Sequence, residues 1–372
     1  MAEQDLLMIP GPVTVPKDVL EKMSCQMFNH RGPRYAELLS KVSAGMRWLL
    51  GTNGEVHTVT GSGTAGLEFA QVNCIHPNDK VLSLSCGVFG ERLADIANIF
   101  GKSMKVLEKP YGQPILPEDV EKELKKDKYD VVTCVFNESS TAVKNPIQEI
   151  AKEVKNSGAI FIVDNVSGLG MEYKMDEWGV DVTITATQKA LGVPPGLSFV
   201  ALSERARKKA ISAPKRSYYF DYGTYKKYLE KGQPPYTPCI SAMVATEHVI
   251  SKIKKAGLEN FNALHFKRAD AVRNASASMG LQLFAKEGYR SDTLTAIAHP
   301  KSEEIKERLK TTHGVFLGGG QKHLQGKVFR IGNMGDISKQ DFERVFLALG
   351  KELQDIGEEP NTEKALKAFG LL

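Results

Sequence analysis

The sequence predicts an α/β fold in which helices cover both faces of a mostly parallel sheet, followed by a smaller α+β domain. Short apolar runs alternate with amphipathic helical segments through the first two-thirds of the chain, which is typical of parallel strands joined by helical crossovers. The pattern becomes predominantly helical from about Ile240. With 372 residues, the chain is long enough for one large and one small domain.

The strands of the larger sheet are predicted wherever apolar or β-branched residues form a short run. In chain order, the predicted strands are 56–60, 81–85, 105–107, 131–136, 159–163, 182–185 and 197–202. Crossover helices are predicted over 117–124 and 147–154, because Leu, Ile and Val recur on one face of each segment. We therefore expect strands and helices to follow one another up to residue 202.

The last third of the chain predicts a small α+β domain on a long connecting helix. The predicted elements are helices over 243–253, 261–278 and 302–311, strands over 293–298, 315–317 and 327–331, and a final helix after Ser338. We expect an amino-terminal arm over residues 1–16, a large cofactor-binding domain over 17–262 and a small carboxyl-terminal domain over 263–372.

Composition argues against several functional classes. The net charge is +5 and basic residues are mixed with acidic ones, so nucleic acid is not an expected partner. The five cysteines are widely spaced and form no Cys-x-x-Cys pair, which predicts neither disulfides nor a metal site. No apolar run reaches membrane-spanning length, and residues 1–5 do not resemble a signal peptide. We expect a cytoplasmic protein that does not bind membranes.

Lys189 is the leading candidate for a catalytic residue. It follows strand 182–185 and lies in a turn rich in proline and glycine, where a strand end can present an amine to a ligand. The apolar strand 159–163 ends on Asp164, and we expect the two strands to be neighbours. Either residue alone is more often a surface charge or a turn residue. Together they are what pyridoxal phosphate needs, an amine for its aldehyde and an acid for its ring nitrogen.

A glycine-rich turn, 61–66, lies between strand 56–60 and a helical segment, and it has two possible interpretations. Backbone amides at a helix amino terminus form an anion site suited to a phosphate. The turn also matches G-x-G-x-x-G, the dinucleotide fingerprint. A dinucleotide site needs an acid near the end of the next strand, but strand 81–85 ends in Ser-Cys-Gly and Asp79 precedes it. A phosphate site for a smaller cofactor is therefore favoured over a Rossmann-type protein.

Taken together, these segments resemble the class V aminotransferases, a family of fold type I pyridoxal-phosphate enzymes, and in particular their alanine–glyoxylate and serine–pyruvate branch. The likeness covers nearly the whole chain and is carried by several motifs in a fixed order. The motifs are 10–16, 60–64, 87–92, 137–141, 163–164, 167–170, 188–191 and 329–332. The resemblance implies a seven-stranded large-domain sheet, pyridoxal 5′-phosphate as cofactor and a homodimer.

The resemblance also assigns roles to individual residues. In this family the residue matching Lys189 forms the Schiff base with the cofactor, and the one matching Asp164 pairs with the ring nitrogen. Arg330 matches the arginine that grips the substrate carboxylate, and Pro10 and Gly11 lie in a loop that shapes substrate choice. The further cofactor contacts implied are Ser62, Gly63, Thr64, Phe89, Ser139, Val166 and Gln188. The segment 233–238, with Gln233, Tyr236 and Thr237, resembles the part that a dimer partner contributes to the phosphate site.

The expected activity is amino transfer from alanine or serine to glyoxylate or pyruvate in two half-reactions, with small amino acids and 2-oxo acids as the partners. Other class V activities stay open, namely aspartate or aminophosphonate transamination and lyase or desulfurase chemistry. Desulfuration is disfavoured, because Gln188 and Phe89 stand where that branch usually has histidines. A dinucleotide-binding or non-catalytic protein is a remote alternative.

Overall fold

The computed structural model describes residues 5–372 and confirms the predicted alternation of strands and helices. The strands are β1 (Leu6–Met8), β2 (Glu55–Thr60), β3 (Lys80–Ser85), β4 (Ser103–Glu108), β5 (Val131–Val135), β6 (Asn137–Glu138), β7 (Val143–Lys144), β8 (Ile160–Asp164), β9 (Val182–Ala186), β10 (Leu197–Leu202), β11 (Gln282–Leu283), β12 (Leu294–Ala298), β13 (Val315–Gly319) and β14 (Val328–Gly332). The helices are α1 (Lys17–Met23), α2 (Pro33–Leu50), α3 (Gly63–Cys74), α4 (Val88–Phe100), α5 (Pro117–Lys126), α6 (Ile147–Ser157), α7 (Met175–Trp178), α8 (Glu204–Ser212), α9 (Tyr222–Leu229), α10 (Ile240–Ala256), α11 (Leu258–Ser278), α12 (Ser302–His313), α13 (Lys339–Asp355) and α14 (Thr362–Lys367). Residues 1–4, which belong to the predicted arm and to the segment compared with a signal peptide, lie outside the described residues.

The larger sheet has seven strands in the order β2-β10-β9-β8-β5-β3-β4, which confirms the predicted mostly parallel architecture. Strands β4, β3, β5, β8 and β9 are parallel to one another, whereas β10 is antiparallel to both of its neighbours. Helices connect the successive parallel strands, because a parallel pair cannot be closed by a tight turn.

Two hydrophobic cores lie on opposite faces of this sheet. Strand β5 shows how the sequence builds both, since Val132 and Cys134 belong to one core and Val131 and Val135 to the other. One core contacts helices α2, α5, α6 and α10, and the other contacts α3, α4, α8 and α9. Burying each of these valines contributes roughly 1.5–3 kcal/mol, so both faces stabilise the strands that carry the site.

The smaller sheet has the order β1-β13-β14-β12-β11, and a separate core that includes Phe329, Phe342 and Phe346 covers it. Strand β1 pairs in parallel with β13, so part of the predicted amino-terminal arm belongs to this sheet. The predicted boundary near residue 263 falls inside α11. The division of the chain into an arm and two domains stays a prediction.

Several of the predicted site residues lie at the carboxyl edge of the larger sheet. Asp164 is the last residue of β8 and pairs with Ile184 on β9, which confirms that these two strands are neighbours. Lys189 follows the end of β9 by three residues. Helices α3 and α4 begin shortly after β2 and β3, at Gly63 and Val88. Ligands of open α/β sheets bind at this edge, where strand ends and helix amino termini meet.

None of the helices within residues 5–372 is both long enough and apolar enough to cross a membrane.

Candidate active site

A cavity of about 220 Å³ at this edge is lined by most of the predicted site residues. Those residues are Ser62, Gly63, Thr64, Phe89, Ser139, Asp164, Val166, Gln188 and Lys189. The lining also includes Leu67, Arg92, Val135, Asn137 and Ser167. A larger cavity of about 480 Å³, bordered by Trp178, Phe266 and Tyr289, contains none of the predicted residues. Chemistry rather than volume therefore identifies the smaller cavity as the candidate active site.

The Lys189 side chain is half-buried, and its amine faces the amino-terminal segment. Its Nζ donates a hydrogen bond to the carbonyl of Pro10 at 2.5 Å. Burial, assisted by the charge of Arg330, lowers the pKa of Lys189 to about 8, although Asp164 acts in the opposite direction. A substantial fraction of the amine is therefore neutral near pH 8, the state needed to attack a carbonyl.

Gly11 allows the amino-terminal segment to approach Lys189 closely. A Cβ at position 11 would lie 2.6 Å from Cδ and 2.7 Å from Nζ of Lys189, and φ is +113°. Both constraints require glycine. The segment is also held by a hydrogen bond from the amide of Val13 to the carbonyl of Gln188 at 3.3 Å. The structure thus brings the predicted Pro10 and Gly11 against the candidate catalytic amine.

Asp164 is a buried carboxyl group, with a side chain that accepts a hydrogen bond from the amide of Val166 at 2.8 Å. Burial raises the pKa of Asp164 to about 6, although the Val166 amide acts in the opposite direction. A buried acid of this kind is most stable when a cation or a protonated base lies against it. A pyridine nitrogen is such a base.

The amino terminus of α3 forms the predicted anion site. Ser62 precedes the first turn, and its side chain makes no capping hydrogen bond to the helix. A Cβ at Gly63 would lie 2.8 Å from Cγ2 of Val166, so glycine allows the turn to pack against the second residue after β8. Backbone amides at a helix amino terminus and the helix dipole favour an anion such as a phosphate at this end of the cavity.

Two buried polar atoms of the cavity lining have no hydrogen-bond partner within the described part of the chain, Oε1 of Gln188 and Oδ1 of Asn137. The Asn137 amide nitrogen is satisfied, since it donates to the carbonyl and hydroxyl of Ser167 and to the hydroxyl of Thr293. An unsatisfied buried polar atom costs about 1–3 kcal/mol, so both atoms favour a polar ligand. With an amine, an acid and an anion site, the residues fit pyridoxal phosphate.

Arg330 reaches from the smaller sheet to the rim of this cavity. Its Nη1 donates to the carbonyl of Ser139 at 2.6 Å, and its Nε and Nη2 donate to the carbonyl of Gly319 at 3.0 and 2.7 Å. Burial lowers the pKa of Arg330 to about 10, so the guanidinium stays charged at neutral pH. Arg330 does not itself line the cavity but contacts Ser139, which does.

Glu138 is a buried residue with no role predicted from the sequence. It accepts hydrogen bonds from the amides of Phe89, Gly90 and Ser140 at 2.9–3.1 Å, and from the Ser140 hydroxyl at 2.5 Å. Burial raises the pKa of this carboxyl group. Glu138 thereby joins the first turn of α4, which carries Phe89, to the loop that carries Ser139. An acid two residues after the predicted strand 131–136, inside the motif 137–141, is the signal that could have identified it.

The predicted residues of segment 233–238 do not join the cavity within one chain. Gln233 and Arg31 are joined by two hydrogen bonds of 3.3 and 3.4 Å. The ring of Tyr236 stacks on Tyr219 with centroids 4.7 Å apart, and Thr237 is exposed. Gln233 and Tyr236 border a different, much smaller cavity.

No cluster of three or more His, Cys, Asp or Glu side chains placed to hold a metal ion occurs within residues 5–372.

Comparisons with known proteins agree with this geometry. The family model described as Aminotransferase class-V matches residues 15–331. An uncharacterised aminotransferase of Methanocaldococcus jannaschii is 38% identical, and the match covers 98% of this chain and 99% of that protein. A serine–glyoxylate aminotransferase of Methylorubrum extorquens is 33% identical, with 90% of this chain and 87% of that protein covered. The crystal structure of an alanine–glyoxylate aminotransferase from Nostoc sp. is similar with a TM-score of 0.91 and 29% identity, covering 95% of this chain and 96% of that one.

The raised pKa of Asp164 predicts how the stability of the cofactor-free protein depends on pH. The folded state holds the proton up to about pH 6, whereas the unfolded chain loses it near pH 3.8, so folding is penalised increasingly between these values and fully above them. Asp164→Asn removes the penalty and should raise the free energy of unfolding at pH 8 by about 1–3 kcal/mol. Near pH 4 the two proteins should differ little. Urea denaturation at both pH values measures this, and a less stable variant at pH 8 would contradict the assignment.

Proposed function

The chain belongs to the class V aminotransferase family, and we propose that it moves an amino group from alanine or serine to glyoxylate or pyruvate. It is a pyridoxal-phosphate-dependent aminotransferase, as its family and structural neighbours are. The proposed substrates rest on the names of the serine–glyoxylate and alanine–glyoxylate enzymes. The observation that carries the proposal is the shared cavity of Lys189 and Asp164 beside the amino terminus of α3.

When bound, pyridoxal phosphate supplies an aldehyde that condenses with amines and a ring that withdraws electrons once its nitrogen is protonated. We propose that the amine of Lys189 would condense with this aldehyde, because its lowered pKa makes neutral Nζ available. The same Nζ, once released by an incoming amino acid, can accept the proton from the substrate α-carbon. The Asp164 carboxylate is assigned to hold the proton on the ring nitrogen.

The remaining assignments concern binding and orientation. Phe89 and Val166 line the cavity and are assigned to pack against the cofactor ring. Ser62, Gly63 and Thr64 are assigned to the phosphate, and Ser139 and Gln188 to polar contacts. Arg330 is assigned to the α-carboxylate, because a guanidinium matches a planar carboxylate with two parallel hydrogen bonds. These assignments support a ping-pong reaction, since one set of groups serves both half-reactions.

Substrate choice is tested with a panel of amino donors, each combined with glyoxylate, pyruvate or 2-oxoglutarate. We expect alanine and serine with glyoxylate to give the highest kcat/KM, with the keto acid product identified by mass spectrometry. The Lys189→Ala variant serves as the control and should be inactive in every combination. A clear preference for aspartate, or release of ammonia without a keto-acid acceptor, would favour one of the alternative class V activities instead.

Arg330→Ala should weaken both half-reactions, because each substrate carries an α-carboxylate. The expected loss of transition-state stabilisation, calculated from the ratio of kcat/KM values, is about 2–5 kcal/mol. Single-turnover kinetics with alanine and with glyoxylate measure the loss for each half-reaction. Arg330→Lys keeps the charge without the planar fork and should recover only part of the loss. A simple alkylamine, which lacks the carboxylate, should be affected far less. An equal loss for all three substrates would mean that Arg330 acts through the hydrogen bonds to Ser139 and Gly319 alone.

We further propose a homodimer in which segment 233–238 of one subunit completes the phosphate site of the other. The segment lies away from its own chain's cavity and presents an exposed Thr237, both of which support a role in the partner. Arg31 holds the segment through the carbonyls of Pro234 and Pro235 at 2.7 and 3.2 Å. A polar loop held firmly in this way is suited to contacting another subunit.

Mixing two inactive variants tests the composite site. Heterodimers of Lys189→Ala with a Tyr236→Ala, Thr237→Ala double variant should recover activity, because one of the two sites then contains only unaltered residues. Homodimers of either variant serve as controls and should stay inactive. If heterodimers confirmed by native mass spectrometry recover nothing, the segment does not serve the partner's site.

A further inference from the structure

We propose that Arg92 is the cation that pairs with the phosphate of the cofactor, and that this pair makes the site select pyridoxal phosphate over unphosphorylated pyridoxal. The inference rests on the proposed function, because it assigns a further binding residue to the same cofactor site. The assignments of Lys189, of Asp164 and of the glycine turn do not depend on Arg92. The role of Arg92 can therefore be tested independently of them.

Arg92 contacts both Phe89, which is assigned to the cofactor ring, and Thr64, which is assigned to the phosphate. Arg92 lies near the start of α4, three residues after Phe89, and its guanidinium carbon is 4.7 Å from the centre of the Phe89 ring. Its Nη1 donates to the hydroxyl of Thr64 at 3.3 Å. Thr64 belongs to the first turn of α3. The guanidinium is therefore anchored beside the amides of the predicted anion site.

The charge of Arg92 has no carboxylate partner within 4.0 Å among residues 5–372, although its side chain lines the cavity. The carboxyl group that the Arg92 charge does reach is Asp164, whose pKa it lowers, but Asp164 accepts a hydrogen bond from the amide of Val166 and is assigned to the ring nitrogen. A cation that forms no close ion pair, next to a helix amino terminus, favours a ligand with more than one negative charge. A phosphate monoester carries about −1.5 to −2 charges at pH 7.

Two arginines near the cavity can be assigned to two different anions. Arg330 contacts Ser139 and Gly319 on the side of the smaller sheet, where the substrate carboxylate is expected. Arg92 contacts Thr64 at the amino terminus of α3, where backbone amides also favour an anion. A guanidinium can donate two parallel hydrogen bonds to a phosphate, which a hydroxyl or an amide cannot do. The phosphate is therefore the anion that Arg92 fits.

The test measures the affinity of the cofactor-stripped protein for pyridoxal phosphate and for pyridoxal by absorbance titration. Arg92→Gln should weaken pyridoxal phosphate binding by about 10- to 100-fold, the loss expected for a hydrogen bond to a charged group. Pyridoxal lacks the phosphate, so its affinity should change by less than about 3-fold. Arg92→Lys keeps the charge and should lose less than Arg92→Gln. Inorganic phosphate should raise the melting temperature of the stripped wild-type protein, and should do so less for Arg92→Gln.

Arg47→Gln is the matched control, because it removes an arginine on α2 that does not line the cavity. It should leave both affinities unchanged. An equal loss for pyridoxal phosphate and pyridoxal in Arg92→Gln would show that Arg92 acts through Phe89 or the fold, and unchanged affinities would also overturn the proposal. So would a weaker reaction with alanine at saturating cofactor without a loss of cofactor affinity, since Arg92 would then serve the substrate.

These outcomes separate the two claims. A wild-type protein that binds no pyridoxal phosphate and forms no keto acid would contradict the proposed function itself. A wild-type protein that does both, together with an Arg92→Gln variant of equal cofactor affinity, would contradict only the role of Arg92.

Discussion

The central constraint of this structure is the burial of an acid and an amine at the ends of two neighbouring strands. Asp164 ends β8, and Lys189 follows β9, so the parallel register of these strands brings both groups to one cavity. Burial moves both pKa values toward neutrality, to about 6 and about 8, which means that each charged form is destabilised by its surroundings. The remaining residues of the site hold these two groups in place. They also bind a ligand with which the two charges can interact.

The smaller sheet contributes to the site through the amino-terminal segment as well as through Arg330. Strand β1 belongs to this sheet, and the chain then passes over it to reach Lys189. The passage is close, because a Cβ at Gly332 would lie 2.3 Å from the carbonyl oxygen of Ile9 and one at Gly318 would lie 2.8 Å from Cδ of Pro10. A shift of the smaller sheet would therefore displace the carbonyl that holds the lysine amine. This contact couples the position of the smaller sheet to the catalytic group.

Much of the fold could be predicted from the sequence, because apolar periodicity determines which residues are buried on each strand. The same pattern placed Asp164 and Lys189 at adjacent strand ends. Helix α4 is not among the predicted elements, since its first turn, Val88 to Glu91, belongs to a glycine-containing motif with little helical periodicity. Glu138 and Arg92 lie in motifs visible in the sequence, but their contacts with the amides of α4 and with Thr64 could not be predicted, because these contacts join residues 28 to 49 positions apart. Spacing along a sequence does not report such contacts.

The most direct test of amino transfer is the stoichiometry of a single half-reaction. Protein loaded with pyridoxal phosphate is mixed with alanine in the absence of any 2-oxo acid, and the products are quantified. We expect one pyruvate and one pyridoxamine phosphate per site, no free ammonia, and restoration of pyridoxal phosphate when glyoxylate is added. Continuous formation of pyruvate and ammonia from serine alone, by elimination of water, or no conversion of the cofactor by alanine, would contradict the assignment of this chain as an aminotransferase for small amino acids.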